Sequence, residues 1–457
     1  LQALLISIWE KQMSNGEGGL RAPVRDIVAW QDEDYWDEEK LDEETRRQFD
    51  VCHGCRRCFN LCDSFPKLFD LIDESETYEL DSVKSEDFKP IVDACTMCDM
   101  CFMVTCPYVP PHEFAIDIPK LMLRHRAKDF RKGKVGFKEK QISKIDRNGK
   151  LGQKTRVVSN SIVSLKNKPA RYVLEKALNI SKEAKLPKFA KPFKETFPIN
   201  TEAPSFGKKA ILFSTCYGSY HNTEIIASAY KVLRHNGIDV SLFYDGCCGM
   251  PQLEQGNIEK VMDQAKNISS KIVPLLSEGV PVIAPIPSCA LMFKTEWPLL
   301  LPNNKNVLTL SKNTMDIDEY MIQISENEGL ADGLVALEGD ITVHMACHSR
   351  AQNIGPKSAQ MLRLIPNTKV NIIERCSGHG GSWGVKKENF DTALKVGKNS
   401  AKSIMKYDTK YFASTCPLAG DHLVQISEKE KNKDLKELKE PSHPIELIAL
   451  AYNFNNK

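Results

Sequence analysis

The stretch Asp245-Gly-Cys-Cys-Gly-Met-Pro251 sets two cysteines side by side in front of a glycine. Immediately before it, "IDVSLFY" (238–244) is a short apolar run that predicts a strand. Upstream, "KKAILFSTC" (208–216) is a buried strand closing on Cys216, and downstream "VPVIAPIPSC" (280–289) is another closing on Cys289. Between them "NTEIIASAYKVLRHNG" (222–237) carries Ile225, Ile226, Ala229, Val232 and Leu233 on one helical face and ends at Gly237, while "NIEKVMDQAKNISSKI" (257–272) predicts a second helix. Strand and helix alternate, and the strands finish on cysteine.

The order then recurs. "DITVHMAC" closes on Cys347, "KVNIIERC" on Cys376 and "YFASTC" on Cys416, at offsets of 131, 129 and 127 residues from Cys216, Cys247 and Cys289. Such regularity predicts two copies of one α/β lobe, residues 206–335 and 336–457. Each cysteine falls at the carboxyl end of a parallel strand, the edge where open α/β sheets take their ligands.

The preceding half carries a different cysteine pattern. Cys52, Cys55, Cys58 and Cys62 are spaced x2, x2, x3; Cys95, Cys98, Cys101 and Cys106 are spaced x2, x2, x4, with Pro107 following. Steps of three let a tight loop wrap thiolates around a cubane, and in two-cluster ferredoxins the fourth cysteine of each run serves the other cluster. By that rule Cys52, Cys55, Cys58 and Cys106 hold one 4Fe-4S cluster, and Cys95, Cys98, Cys101 and Cys62 a second. Zinc is the competing metal, but a four-ligand zinc site leaves the third cysteine of each run without a use. The x4 interval and the Asp63 that stands where proline is usual leave the loop path open. The expected fold is α+β: a mostly α-helical, two-cluster ferredoxin-like domain (1–132), a basic linker or helical segment (133–205), then the two lobes.

The doubled pattern of Cys, Cys-Cys-Gly and Cys resembles the cysteine-rich CCG domain of heterodisulfide reductases. A ferredoxin-type half followed by two such domains is similar to the iron-sulfur subunits of anaerobic glycerol-3-phosphate dehydrogenase and of glycolate oxidase. The likeness extends over residues 50–455, including "GVKKENF" (384–390) and "HPIELIALA" (443–451). It implies that the adjacent cysteines offer two thiolates to one iron-sulfur assembly, so that Cys216, Cys247, Cys248 and Cys289 hold a further cluster in the first lobe. Gly249 lets the backbone pass close to it. A fifth cysteine of the family pattern is replaced by Met292. The second lobe keeps three thiolates, Cys347, Cys376 and Cys416, with Ser377 in the place of a fourth; whether it holds a cluster is left open. His348 and His379 lie beside these cysteines and are the candidates for a missing ligand or for a catalytic proton donor. "SGHGGSWG" (377–384) lacks the spacing of a nucleotide-binding glycine loop.

The 457 residues include fifteen cysteines with no sign of a secretion signal, which points to a reducing, cytoplasmic setting and to metal or redox use of the thiols. The opening "LQALLISIWE" is too short to span a bilayer and lacks the flanks of a signal peptide. Net charge is only +2, yet residues 119–200 hold 23 Lys or Arg against 6 Asp or Glu, while residues 26–90 are acidic by more than two to one. A basic block of this kind is either a solvated surface or a docking face for an anionic protein partner or the inner face of a membrane. No nucleic-acid module accompanies it. Lacking any flavin or nicotinamide fingerprint, the chain is expected to be the electron-transfer subunit of an oxidoreductase complex, with a flavoprotein dehydrogenase or other redox protein as partner. A membrane or quinone site would then be reached through that partner. The alternatives are a catalytic reductase of a disulfide, peroxide-linked or quinone acceptor at the CCG site, and a non-redox zinc scaffold.

Overall fold

Parallel sheets form where the sequence places apolar runs of four or five residues between helices. In the computed structural model the described residues are 23–194, 196–277, 279–430 and 437–454; the apolar opening at residues 1–10, with its expected lack of spanning or secretory function, lies outside them. Described residues up to Lys134, together with Leu253–Ile258, form one unit, and the remainder form a second.

The first unit is helical. Helix Glu38–Cys55 starts where the Asp37 side chain accepts the Lys40 N–H, and it buries Leu41, Thr45, Gln48 and Phe49. Helix Ser64–Asp73 buries Phe65, Leu68, Phe69 and Ile72, and Phe49 meets Phe88 edge-to-face at 5.2 Å. Helix Lys89–Ala94 stops one residue before Cys95. Helix Ile118–Arg131 follows the second cysteine run.

The second unit contains both lobes. In the first, β1 (Lys209–Phe213), β2 (Asp239–Phe243), β3 (Val282–Ala284) and β4 (Thr314–Asp316) form a parallel sheet in the order β2-β1-β3-β4. In the second, β5 (Ile341–His344), β6 (Val370–Ile373) and β7 (Tyr411–Ser414) are ordered β6-β5-β7 and are again parallel. Apart from β4 the two orders coincide strand for strand, which is the structural form of the sequence repeat. Helices cover both faces of the sheets, so β3 and β5 are buried along their whole length, Thr342 and His344 of β5 included. Helix Thr223–His235 buries the five apolar residues expected of it. Gly237, at φ +84, ends that helix where a Cβ would strike the backbone of Phe206, and only glycine serves there. Strand β4 has three residues, too few for an apolar period to announce.

Residues 137–178 form four helices, and the segment from Val135 belongs to the unit of the lobes. Gly149 and Gly152 of helix Ile145–Lys154 let its backbone press on the rings of Tyr220 and Phe189, with no room for a Cβ at either position. Toward the second lobe, Ser181 N–H bonds Val385 O at 2.8 Å, inside the "GVKKENF" stretch, and Lys185 N–H bonds Gln425 Oε1 at 3.0 Å.

Two buried histidines tie the lobe edges. His344 bonds Ser414 Oγ through Nδ1 and Arg375 O through Nε2, both at 3.0 Å. His443, which opens "HPIELIALA", hydrogen-bonds the backbone of Pro285 in the first lobe and of Thr415 in the second. Burial pushes His344 down to about 4 and His443 down to about 3. The unfolded chain holds both near 6.5. Between pH 6.5 and 4 the unfolded state therefore binds more protons, so the stability these groups contribute above pH 6.5 is lost as pH falls. We expect the unfolding free energy of the second unit, read from denaturant melts, to drop from pH 7.5 to 5.5 by up to about 1.4 kcal/mol per histidine per pH unit. His443→Gln should shrink that loss, and an identical pH slope in the variant would contradict the assignment.

Candidate metal centres

Cys52 and Cys55 sit on the last turn of helix Glu38–Cys55, and Arg56, left-handed at φ 52, swings the chain round to Cys58. These three line one pocket together with Cys106, from the other run, and with Phe65 and Phe69. Burial, and next the charge of Cys106, push the Cys52 thiol well up and the Cys58 thiol up to about 12. Tyr108 N–H points at Cys106 Sγ from 3.4 Å.

The complementary exchange occurs at the second run. The Cys62 thiol is pushed well up by burial and then by Cys98 and Cys95, and Cys101 by burial and the same two neighbours. Helix Ser64–Asp73 starts here, and its Ser64 and Phe65 N–H groups donate to the Cys62 sulfur. Asp63 thus occupies a helix start, at the N-cap of Ser64–Asp73. The extra residue before Cys106 is taken up as a π-helical turn, Cys101–Thr105, closed by Cys106 N–H to Cys101 O at 2.8 Å. Met97 and Asp99 are left-handed at φ 53 and 62 and turn the loop inward. Arg25 clamps that loop: its guanidinium reaches Asp99 at 3.1 Å and Asp117 at 2.8 Å, and lies 4.0 Å over the Phe102 ring.

In the first lobe the four cysteines meet in a buried knot. Cys247 is the acceptor for Cys216 and Cys248, which pushes its thiol well down and theirs well up, and Cys248 in turn contacts Cys289. Gly249 N–H adds a bond to Cys247, and the Trp297 indole donates to Cys248 O at 3.0 Å. Met292 opens a second π-helical turn, Met292–Glu296, in the wall behind Cys289. Thr215, buried at φ 50, is strained immediately before Cys216.

In the second lobe Cys347, Cys376 and Cys416 follow three adjacent strands and share one sheet edge. Cys376 Sγ accepts from Gly378 N–H at 3.4 Å, and burial pushes its thiol up. Ser377 Oγ accepts from His379 N–H at 3.4 Å, which gives it a local turn role. His348 Nδ1 bonds Ser288 Oγ at 2.8 Å, so it faces the first lobe beside Cys289. His379 lies 5.8 Å from His422, ring to ring, and Nε2 of each is sealed from solvent with no hydrogen-bond partner. His422 and the Asp146–Tyr244 pair described below escaped the sequence reading because each acts across a long separation with no local pattern.

The donor sets suit iron-sulfur groups. Four buried thiols in one cavity resist ionising together unless cations share their charge, and the N–H groups aimed at sulfur are those that tune such clusters. Among the described residues no three His, Cys, Asp or Glu side chains are placed to hold a single metal ion, and no helix is long and apolar enough to cross a membrane.

Two consecutive parallel-sheet lobes thus carry cysteines along one edge. Residues 210–294 and 341–420 match the family model described as CCG: Cysteine-rich domain, so the chain carries two copies of it. It is similar to an anaerobic glycerol-3-phosphate dehydrogenase subunit of Escherichia coli K12, 25% identical over 316 residues, 68% of this chain and 76% of the relative. A fumarate reductase (CoM/CoB) subunit of Methanothermobacter marburgensis is 25% identical over 54% of this chain and 47% of its own. A dihydromethanophenazine:CoB--CoM heterodisulfide reductase subunit of Methanosarcina acetivorans is 24% identical over 47% of this chain and 53% of its own.

Proposed function

We propose that the chain is an iron-sulfur electron-transfer subunit of an oxidoreductase complex. The observation that carries this reading is the exchange of fourth cysteines. Cys106 stands with Cys52, Cys55 and Cys58, and Cys62 with Cys95, Cys98 and Cys101. We assign one 4Fe-4S cluster to each group and a further iron-sulfur cluster to Cys216, Cys247, Cys248 and Cys289. Bound there, such groups supply one-electron carriers. The chain's own residues place the thiols, aim N–H groups at sulfur and keep water from the knot of the first lobe. Hydride chemistry falls to a partner, a flavoprotein dehydrogenase or another redox protein, in keeping with the names of the relatives.

The helical segment is the docking face on this reading. Phe137, Leu151, Val157, Val158, Tyr172 and Val173 are exposed there, Val157 at 80%, among the lysines and arginines of the basic block. Anaerobic co-purification should capture a redox protein that reduces the bound clusters. Because charge steers this contact, the partner should dissociate as salt rises through about 0.1 to 0.5 M. Capture of no redox protein would count against the subunit reading, and salt-insensitive binding against the charged face.

A second reading, reduction of a disulfide, peroxide-linked or quinone acceptor, is favoured by the second lobe alone. It has three cysteines where a cubane takes four, and the buried Nε2 atoms of His379 and His422 lack the hydrogen-bond partner that an acceptor entering there would supply.

A further inference from the structure

Asp146 is the feature outside the cysteine pattern that reaches furthest into it. It lies in the first turn of helix Ile145–Lys154, and Gly149, one turn later, lets that helix settle against the Tyr220 ring. Asp146 Oδ2 accepts the backbone N–H of Cys247 at 3.0 Å. Its Oδ1 accepts from the Tyr244 hydroxyl, in a short contact, and from the Tyr220 hydroxyl at 3.4 Å. Burial, and then the Asp146 charge, push the Tyr220 phenol up to about 12, and burial, then the charges of Cys216 and Asp146, push the Tyr244 phenol up, so both stay protonated donors. The negative charge of Asp146 is felt at both Cys216 and Cys247. Among the described residues no Lys, Arg or His forms an ion pair with it.

We propose that Asp146 is a positioning residue that sets the reduction potential of the iron-sulfur group at Cys216, Cys247, Cys248 and Cys289. The inference rests on the cluster assignment made above. Two effects act with one sign. A fixed carboxylate beside the thiolates opposes the arrival of an electron, and an N–H held by Asp146 is withheld from the cluster sulfurs, where such bonds raise the potential. The tyrosines hold the carboxylate in place and partly quench it. The helical segment thereby enters the redox site of the first lobe through a single side chain.

The test is potentiometric EPR on the full, anaerobically purified chain. The first-lobe signal is identified as the one lost in Cys289→Ala; if no reducible signal is lost there, the cluster assignment fails and this inference fails with it. Asp146→Asn should favour the reduced state at least tenfold, about 59 mV upward for a one-electron couple, with iron content kept, while Asp146→Glu should return the potential toward wild type. Tyr244→Phe, which removes a quenching hydrogen bond, should move it the opposite way. An Asn variant with full iron and an unmoved potential overturns the proposal while leaving the cluster assignment intact. Should that variant not retain iron, Tyr244→Phe decides: a downward shift supports the role and an unmoved potential overturns it.

Discussion

Cys62→Ala is expected to remove the cluster of the second cysteine run and to spare that of the first. Cys62 follows Cys58 by four residues, yet its sulfur is buried among Cys95, Cys98 and Cys101, with the Ser64 and Phe65 N–H groups aimed at it. Losing one thiolate of four opens the cubane, so the variant should lack about four irons per chain. The pairing itself is read from double variants. Cys62→Ala with Cys98→Ala should lose no more iron than either alone, whereas Cys62→Ala with Cys58→Ala should lose about eight. If the second pair loses four and the first eight, each run closes on itself and the exchange is wrong. Cys106→Ala with Cys55→Ala provides the mirror test, expected at about four.

Arg25→Ala should be the most damaging single change outside the cysteines. The Arg25 side chain is only 6% exposed and holds two carboxylates, Asp99 at 3.1 Å and Asp117 at 2.8 Å. Asp99 stands between Cys98 and Cys101 in a left-handed conformation, uncommon for a residue other than glycine. Without the guanidinium two buried charges lose their partner, a loss of about 3–5 kcal/mol. Arg25→Lys should recover only part of it, because an ammonium cannot fork to both carboxylates or lie flat on Phe102. Denaturant unfolding of the first unit measures the loss. The iron of the Cys62, Cys95, Cys98 and Cys101 group should be the more easily chelated in the variant. A change below about 1 kcal/mol, the range of exposed pairs, would show that the clamp is dispensable.

The lobes were legible because each strand is an apolar run that ends on a cysteine: β1, β2, β3, β5, β6 and β7 all fall inside the expected stretches. β4 was not, since Thr314–Asp316 offers three residues, one of them a helix-capping aspartate. The exchanged cysteines follow from spacing, but the accommodation of the x4 interval does not. A π-helical turn at Cys101–Thr105 depends on a bond between residues five apart that no composition signals. Residues 133–205 carry a charge bias that is easy to read, while Gly149 and Gly152 look like helix breakers until Tyr220 and Phe189 are seen against them. Asp146 was hidden for the same reason. Its partners lie about 70 to 100 residues away, and the sequence shows it only as one acid among many bases.

Iron, acid-labile sulfide and zinc counted per chain on anaerobically purified protein, with EPR recorded during stepwise reduction, test the central claim most directly. Eight thiols sorted into two groups of four predict about eight irons and eight sulfides, with about four more of each if the first lobe is filled. Reduction should then yield paramagnetic signals that disappear on reoxidation. A colourless chain with stoichiometric zinc, no sulfide and no reducible signal would contradict the account.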